Sequence, residues 1–250
     1  MPALSLHDLA RSIKESCISP RGTYPPLPTR WTHSALSHLS RAAVHEWFSA
    51  DPTPGTHRSA PPWLPPLSPV LHLARQAIAH SPVSASADSP RLLAWIGRRV
   101  WPYPVACPDL LDQSIFIDTK DLPERAWAAD VSLRSGALAA VIVDGSAFSM
   151  SITRRLQLAA AESGGLGLIL RPHADLRQLS AAHTRWLVTP APSLVSPRWN
   201  LELLRLKGGK LPDVTTWTLE LNHETGTLDL VSDAAHRSVA TPEIARTVTA

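Results

Sequence analysis

A chain of 250 residues with 44% hydrophobic and 18% charged residues has the length and apolar content to bury a real core, which excludes disorder as a global state. The formal net charge is only +3, so the basic character is mild even though the pI is about 9.2. Cys17 and Cys107 form no CxxC, which leaves a thiolate zinc site or a redox dithiol without support and suggests a reducing compartment. No signal-peptide pattern opens the chain, and no uncharged apolar run approaches the roughly 18–20 residues that span a bilayer. The expectation is a soluble, cytoplasmic protein.

Proline sets the organisation. Residues 1–110 hold seventeen of the 24 prolines, and Pro20–Pro28, Pro52–Pro69 and Ser81–Pro90 read as loops or extended linkers. Leu92–Ile96 is a compact apolar run, as expected of a buried strand, and Ser114–Ile117 is another. Leu122–Ser135 reads as a helix with Pro123 in its first turn and Gly136 as its stop. Ala139–Val143 is a strand closed by Asp144. Ser149–Glu162 is a second helix, N-capped by Ser149 and stopped at Gly164–Gly165, and Leu166–Leu170 is the next strand. Unalternating strands separated by helices imply a parallel sheet covered on both faces. Beyond these, Thr184–Val188, Trp199–Leu206, Val214–Leu221 and Thr227–Val231 are strand-like without helices between them, and fit an antiparallel continuation.

Asp144 carries the sharpest chemical signal. An apolar strand ending in an acid, AAVIVD, has the form of a Walker B segment, whose carboxylate helps hold Mg²⁺. The same residue suits a turn cap leading through Gly145 and Ser146. A Walker B acid works beside a phosphate loop, and no GK[ST] occurs; Gly209–Lys210 precedes Leu211. The one place for such a loop lies between a strand near Val44–Phe48 and a helix near Val70–His80. That gap holds seven prolines, which have no N–H to offer a phosphate, and a single glycine, Gly55. Nucleotide binding in the usual manner is not expected. His45–Glu46 is no HExxH, Ser146 is no nucleophile elbow, and no catalytic set, metal site or cofactor emerges.

Twenty of the 24 basic residues are Arg, whose planar fork suits phosphates, carboxylates and aromatic faces, though the bias equally fits a GC-rich genome. Arg98–Arg99 and Arg154–Arg155 are adjacent basic pairs. In WIGRRVWPYP, Trp95, Arg98, Arg99, Trp101 and Tyr103 interleave Arg with aromatics. Such a run suits single-stranded nucleic acid or a protein-binding hot spot, or is an ordinary strand end with a solvated rim.

WIGRRVWPYP, the stretch LRSGALAAVIVDGSAFSMSITRRLQLAAAESGGLGLILRP, SAAHTRWLVTPAPS and PRWNLELLRLKGG together resemble the ImuA family, RecA-like accessory factors of bacterial translesion synthesis. The similarity covers roughly residues 35–222. It implies an α/β, RecA-like (P-loop NTPase type) core with a mostly parallel central sheet flanked by helices and an antiparallel C-terminal extension. Residues 1–34 become a Pro-containing arm and 35–231 the core, with a degenerate phosphate-loop region at 49–69; 232–250 become a flexible tail. AAVHEWFS becomes the strand before the phosphate loop, SPVLHLARQAIAH the helix after it, and Asp144 the degenerate Walker B position. Leu92–Ile96 matches the strand leading to RecA's catalytic glutamate, but here it runs into Gly97–Arg98–Arg99 without an acid. The implied role is non-catalytic and lies in damage-induced mutagenesis. The implied partners are RecA, an ImuB-like Y-family polymerase homologue and an error-prone replicative-type polymerase, with weak single-stranded DNA contact a further option. The alternatives are a SulA-like cell-division inhibitor and an atypical RecA-like ATPase.

Overall fold

The computed structural model describes Leu39 and residues 42–50, 63–79, 92–222 and 228–231. The expected arm at 1–34, most of the degenerate loop region (51–62), the Pro-containing segment at 81–90 and the tail at 232–250 lie outside the described residues.

The strands are β1 (Ala43–Ser49), β2 (Leu92–Ile96), β3 (Ser114–Ile117), β4 (Leu138–Asp144), β5 (Leu166–Arg171), β6 (Thr184–Ala191), β7 (Arg198–Leu206), β8 (Thr216–Leu221) and β9 (Leu228–Val231). They form one sheet in the order β3-β2-β4-β5-β1-β6-β7-β8-β9. The helices are α1 (Leu67–Ala79), the single turn α2 (Pro108–Leu111), α3 (Leu122–Arg134) and α4 (Met150–Ser163). All seven residues of β4 are buried, as are all six of β5, which is why these strands read as continuous apolar runs rather than alternating ones.

Local chemistry sets the helix ends. Asp121 accepts the Glu124 N–H at 2.9 Å, while the Glu124 carboxylate takes the Lys120 N–H at 2.8 Å, so two orphan donors at the start of α3 are satisfied reciprocally. Ser149 caps α4 through the Ile152 N–H. That helix stops at Gly164, whose φ of 76° only glycine adopts cheaply.

One face of the sheet packs on α1. There Trp47 stacks on Trp186, with centroids 5.5 Å apart and planes 10° from parallel, and Trp186 meets Trp217. The other face packs on α3 and α4 through Val44, Ala94, Ile96, Val141, Val143 and Ile169. The apolar faces of β7 and β8 and Leu228 of β9 join the α1 cluster.

Two expectations need correction. Thr184–Val188 does not begin the antiparallel part; β6 runs parallel to β1, with His45 opposite Thr184, and only β7, β8 and β9 are antiparallel. The crossover from β5 is a 3-10 turn (His173–Arg177) followed by buried Ser180, Ala181 and Ala182, so it leaves no helical periodicity in the sequence. Pro69 is not in a loop: it sits in the first turn of α1, where a helix has no use for its missing N–H. No helix among the described residues is long and apolar enough to cross a membrane.

Candidate functional site

Strands β2, β4, β5 and β1 run parallel, so their carboxyl ends share one edge, the place where open α/β sheets bind ligands. Asp144 ends β4 there and is buried. Its Oδ1 accepts the Ser146 N–H at 2.9 Å, the Asx turn that suits a turn cap. Its Oδ2 faces two cations, the Arg125 guanidinium at 3.9 Å and the Arg99 guanidinium at 4.0 Å. Arg125, from α3, donates to the Ser146 carbonyl at 3.0 Å and lies over the Phe148 ring. Arg99 lies over the Trp63 ring, 5.7 Å from its centroid, so it sits between an indole and the Asp144 carboxylate. Gly97 permits this crowding. Its φ is 88°, and a Cβ there would stand 3.2 Å from the Asp144 Cβ and 3.3 Å from the Arg125 Cδ.

Beside Asp144 the same edge carries a buried polar network that the sequence did not reveal. Glu46 of β1 is wholly buried. It accepts from Arg171 Nη1 at 2.7 Å, from Ser180 Oγ at 2.8 Å and from Arg185 Nε at 2.8 Å. Arg171, also wholly buried, donates through Nη2 to the Phe148 carbonyl, to Asp175 and to Gln178. Asp175 in turn holds the N–H of Ala147, a non-glycine residue at φ 62°. Two guanidiniums thus meet two carboxylates, joining β1, β5, β6, the β4–α4 turn and the crossover. Glu46, Arg171, Asp175 and Arg185 are spread over 140 positions, and no local motif signals them.

The other candidates separate. His45 and Glu46 point to opposite faces of β1: the His45 ring meets Thr184 Oγ1 at 2.7 Å on the α1 side. No group of three or more potential metal ligands occurs among the described residues. Trp95 must be dropped as a contact residue. It is fully buried on β2, with its indole N–H donated to Ser114 Oγ, because both faces of that strand are covered. Arg98 is exposed but paired with Asp118, and Arg99, about half exposed, faces Asp144, which it shares with Arg125. Trp101 is half-buried against Phe116, with its indole N–H on the Trp95 carbonyl, while Tyr103 is 73% exposed. Arg154 and Arg155 lie on the outer surface of α4, across the sheet from Trp101, and Arg155 approaches Asp130 at 3.7 Å. The sequence candidates therefore form two separate surfaces.

No family model matches the chain. Its fold is similar to the solved structure of the RadB recombinase, with a TM-score of 0.54 and 13% identity over 82% of this chain and all of that one; at this identity the likeness shows the fold alone, which is RecA-like. In sequence it is similar to Protein ImuA of Caulobacter vibrioides, from strains NA1000 / CB15N and ATCC 19089 / CIP 103742 / CB 15. Each is 30% identical over 177 residues, which span 62% of this chain and 71% of the relative. With that coverage, and with a RecA-like sheet beneath it, the chain belongs to the ImuA family.

Proposed function

We propose that this chain is a non-catalytic accessory protein of damage-induced translesion synthesis, acting by binding a RecA-type recombinase, an ImuB-like Y-family polymerase homologue, or both. Membership of the ImuA family supports the setting. One observation carries the non-catalytic part: the outward oxygen of Asp144 already faces Arg99 and Arg125, with Trp63 above Arg99. Mg²⁺ binds carboxylate oxygen at about 2.0–2.1 Å and brings its own waters, so it needs the volume those guanidiniums fill. Their positive charge also opposes a second cation. The strand β2 adds no acid at this edge, since Gly97, Arg98 and Arg99 follow it.

The test has two arms. Thermal unfolding with and without millimolar Mg·ATP is expected to show no shift, because a ligand that does not bind the native state cannot stabilise it. Co-purification with the recombinase and the ImuB-like homologue of the same organism is expected to recover at least one of them. ATP hydrolysis abolished by Asp144→Ala would refute the non-catalytic reading. Recovery of neither partner would refute the accessory role.

A further inference from the structure

Among the described residues the sheet ends laterally on β3 at one side and β9 at the other. Among the described residues strand β3 pairs only with β2, in parallel, with Leu93 opposite Ser114 and Ile96 opposite Ile117. Leu93 donates to the Gln113 carbonyl and Gly97 to the Ile117 carbonyl. In a parallel pair alternate residues bond the same neighbour, so Gln113, Ile115 and Ile117 turn their peptide groups toward β2. Ser114 and Phe116 turn theirs outward, where no described residue meets them.

Exposed sheet edges are usually blunted by shortness, lysine, proline or a bulge. The four-residue strand Ser-Ile-Phe-Ile is short but has no lysine, proline or bulge. Its surroundings are apolar as well: Phe116 is 38% exposed, Tyr103 73% and Val105 80%, with Trp101 beneath Phe116. The flanks are acidic. Asp109 and Asp118 are matched by Arg75 and Arg98, and the Arg75 guanidinium holds Asp109 below the usual carboxylate range. Asp112, Asp121 and Glu124 share that stretch with Lys120, while Arg125 faces Asp144.

We infer that β3 is a docking edge for an extended segment of a partner protein, which adds to the sheet as a further strand. The occupant's chemistry follows from the edge. Two outward peptide groups, on Ser114 and Phe116, are completed by extended backbone. The ring surface of Phe116 and Tyr103 takes an apolar side chain, and the net negative flanks favour Lys or Arg beside it. The same negative charge disfavours a nucleic-acid backbone here. This inference rests on the proposed accessory role and gives it a surface that retains Trp101 and Tyr103 and omits Trp95.

The experiment uses the full chain with the recombinase and the ImuB-like homologue as probes, measuring affinity and residue-level amide hydrogen exchange. In the free protein the Ser114 and Phe116 amides should exchange fast and those of Ile115 and Ile117 slowly. The complex should slow the first pair. Phe116→Lys should weaken binding at least tenfold while leaving the unfolding midpoint near wild type. Phe116→Pro, which removes an outward N–H without touching the ladder to β2, should do the same. Binding with unprotected Ser114 and Phe116 amides and unchanged affinity of both variants overturns the edge inference but spares the accessory role. Protection that appears on concentrating the protein alone assigns the edge to a second copy and overturns the partner assignment. Wild-type binding to neither probe overturns both proposals.

Discussion

Replacing Glu46 by Gln should be the most damaging isosteric change in the described structure. The carboxylate is wholly buried and accepts three hydrogen bonds, two of them from guanidiniums: Arg171 at 2.7 Å and Arg185 at 2.8 Å. Gln offers one acceptor oxygen and turns an NH₂ against one of those cations. It also removes one of the two negative charges that balance two positive ones, leaving Asp175 alone, 3.2 Å from Arg171. Breaking a buried pair on one side costs about 3–5 kcal/mol, since the remaining charge stays desolvated. At about 2–4 °C per kcal/mol for a domain of this size, the melting midpoint should fall by about 6–20 °C. Denaturant titration at pH 7.5 measures the loss directly. The accompanying cycle adds Arg171→Met alone and with Glu46→Gln. If the network acts as a unit, the double variant should lose less than the two singles together by about 1–3 kcal/mol. A Glu46→Gln loss below about 1 kcal/mol, or strict additivity, would refute the idea that this network holds the carboxyl edge together.

Three further perturbations probe other parts of the molecule. His72 is buried on α1 and accepts the Leu228 N–H; burial, aided by Arg75 and opposed by Asp229, lowers its pKa from 6.5 to about 4. Its contribution is therefore complete above pH 6.5 and lost as pH falls toward 4. Stability should drop by about 2 kcal/mol between pH 7.5 and pH 5, and His72→Gln should remove that part of the pH slope in denaturant titrations. Gly145→Ala places a Cβ 2.1 Å from Ile169 Cγ2, an overlap with a buried strand residue that should cost about 1–3 kcal/mol in thermal unfolding. Asp144→Asn keeps the acceptor for the Ser146 N–H but removes the charge facing Arg99 and Arg125. A midpoint loss of about 2–8 °C is expected, from about 1–2 kcal/mol, and an unchanged midpoint would argue that the two arginines are solvated rather than paired.

The parallel half of the sheet was legible because its signals are local. β3 spans the predicted Ser114–Ile117, and Ser149 and Gly164 bound α4 through capping chemistry that depends only on neighbours in sequence. The parallel direction of β6 was not legible, because a crossover built from a 3-10 turn and buried small residues carries neither helical period nor hairpin turn. Trp95 illustrates a different limit. Composition grouped it with Trp101 and Tyr103, but β2 is covered on both faces and buries it, while the residues after β2 leave the sheet. Glu46 and Arg171 stand 125 positions apart, and each looks like an ordinary charge in an apolar run until the topology places β1 beside β5.

The two edges of the sheet differ in how far the chain satisfies its own polar groups. At the carboxyl edge, loops of an open α/β sheet normally leave a crevice whose backbone and side chains face a ligand. Here Arg99 and Arg125 face Asp144, and Arg171 binds Glu46 and Asp175, so these guanidiniums already have carboxylates of the protein's own beside them. Under the proposed accessory role, recognition uses surfaces whose groups the fold leaves unmatched. Along β3 those groups are peptide N–H and C=O of Ser114 and Phe116, with the exposed ring of Tyr103 beside them. On α4 it is Arg154, exposed and without a carboxylate partner among the described residues. On that proposal the lateral edge takes extended backbone and the helix takes a counter-charge, at two separate surfaces of the same sheet.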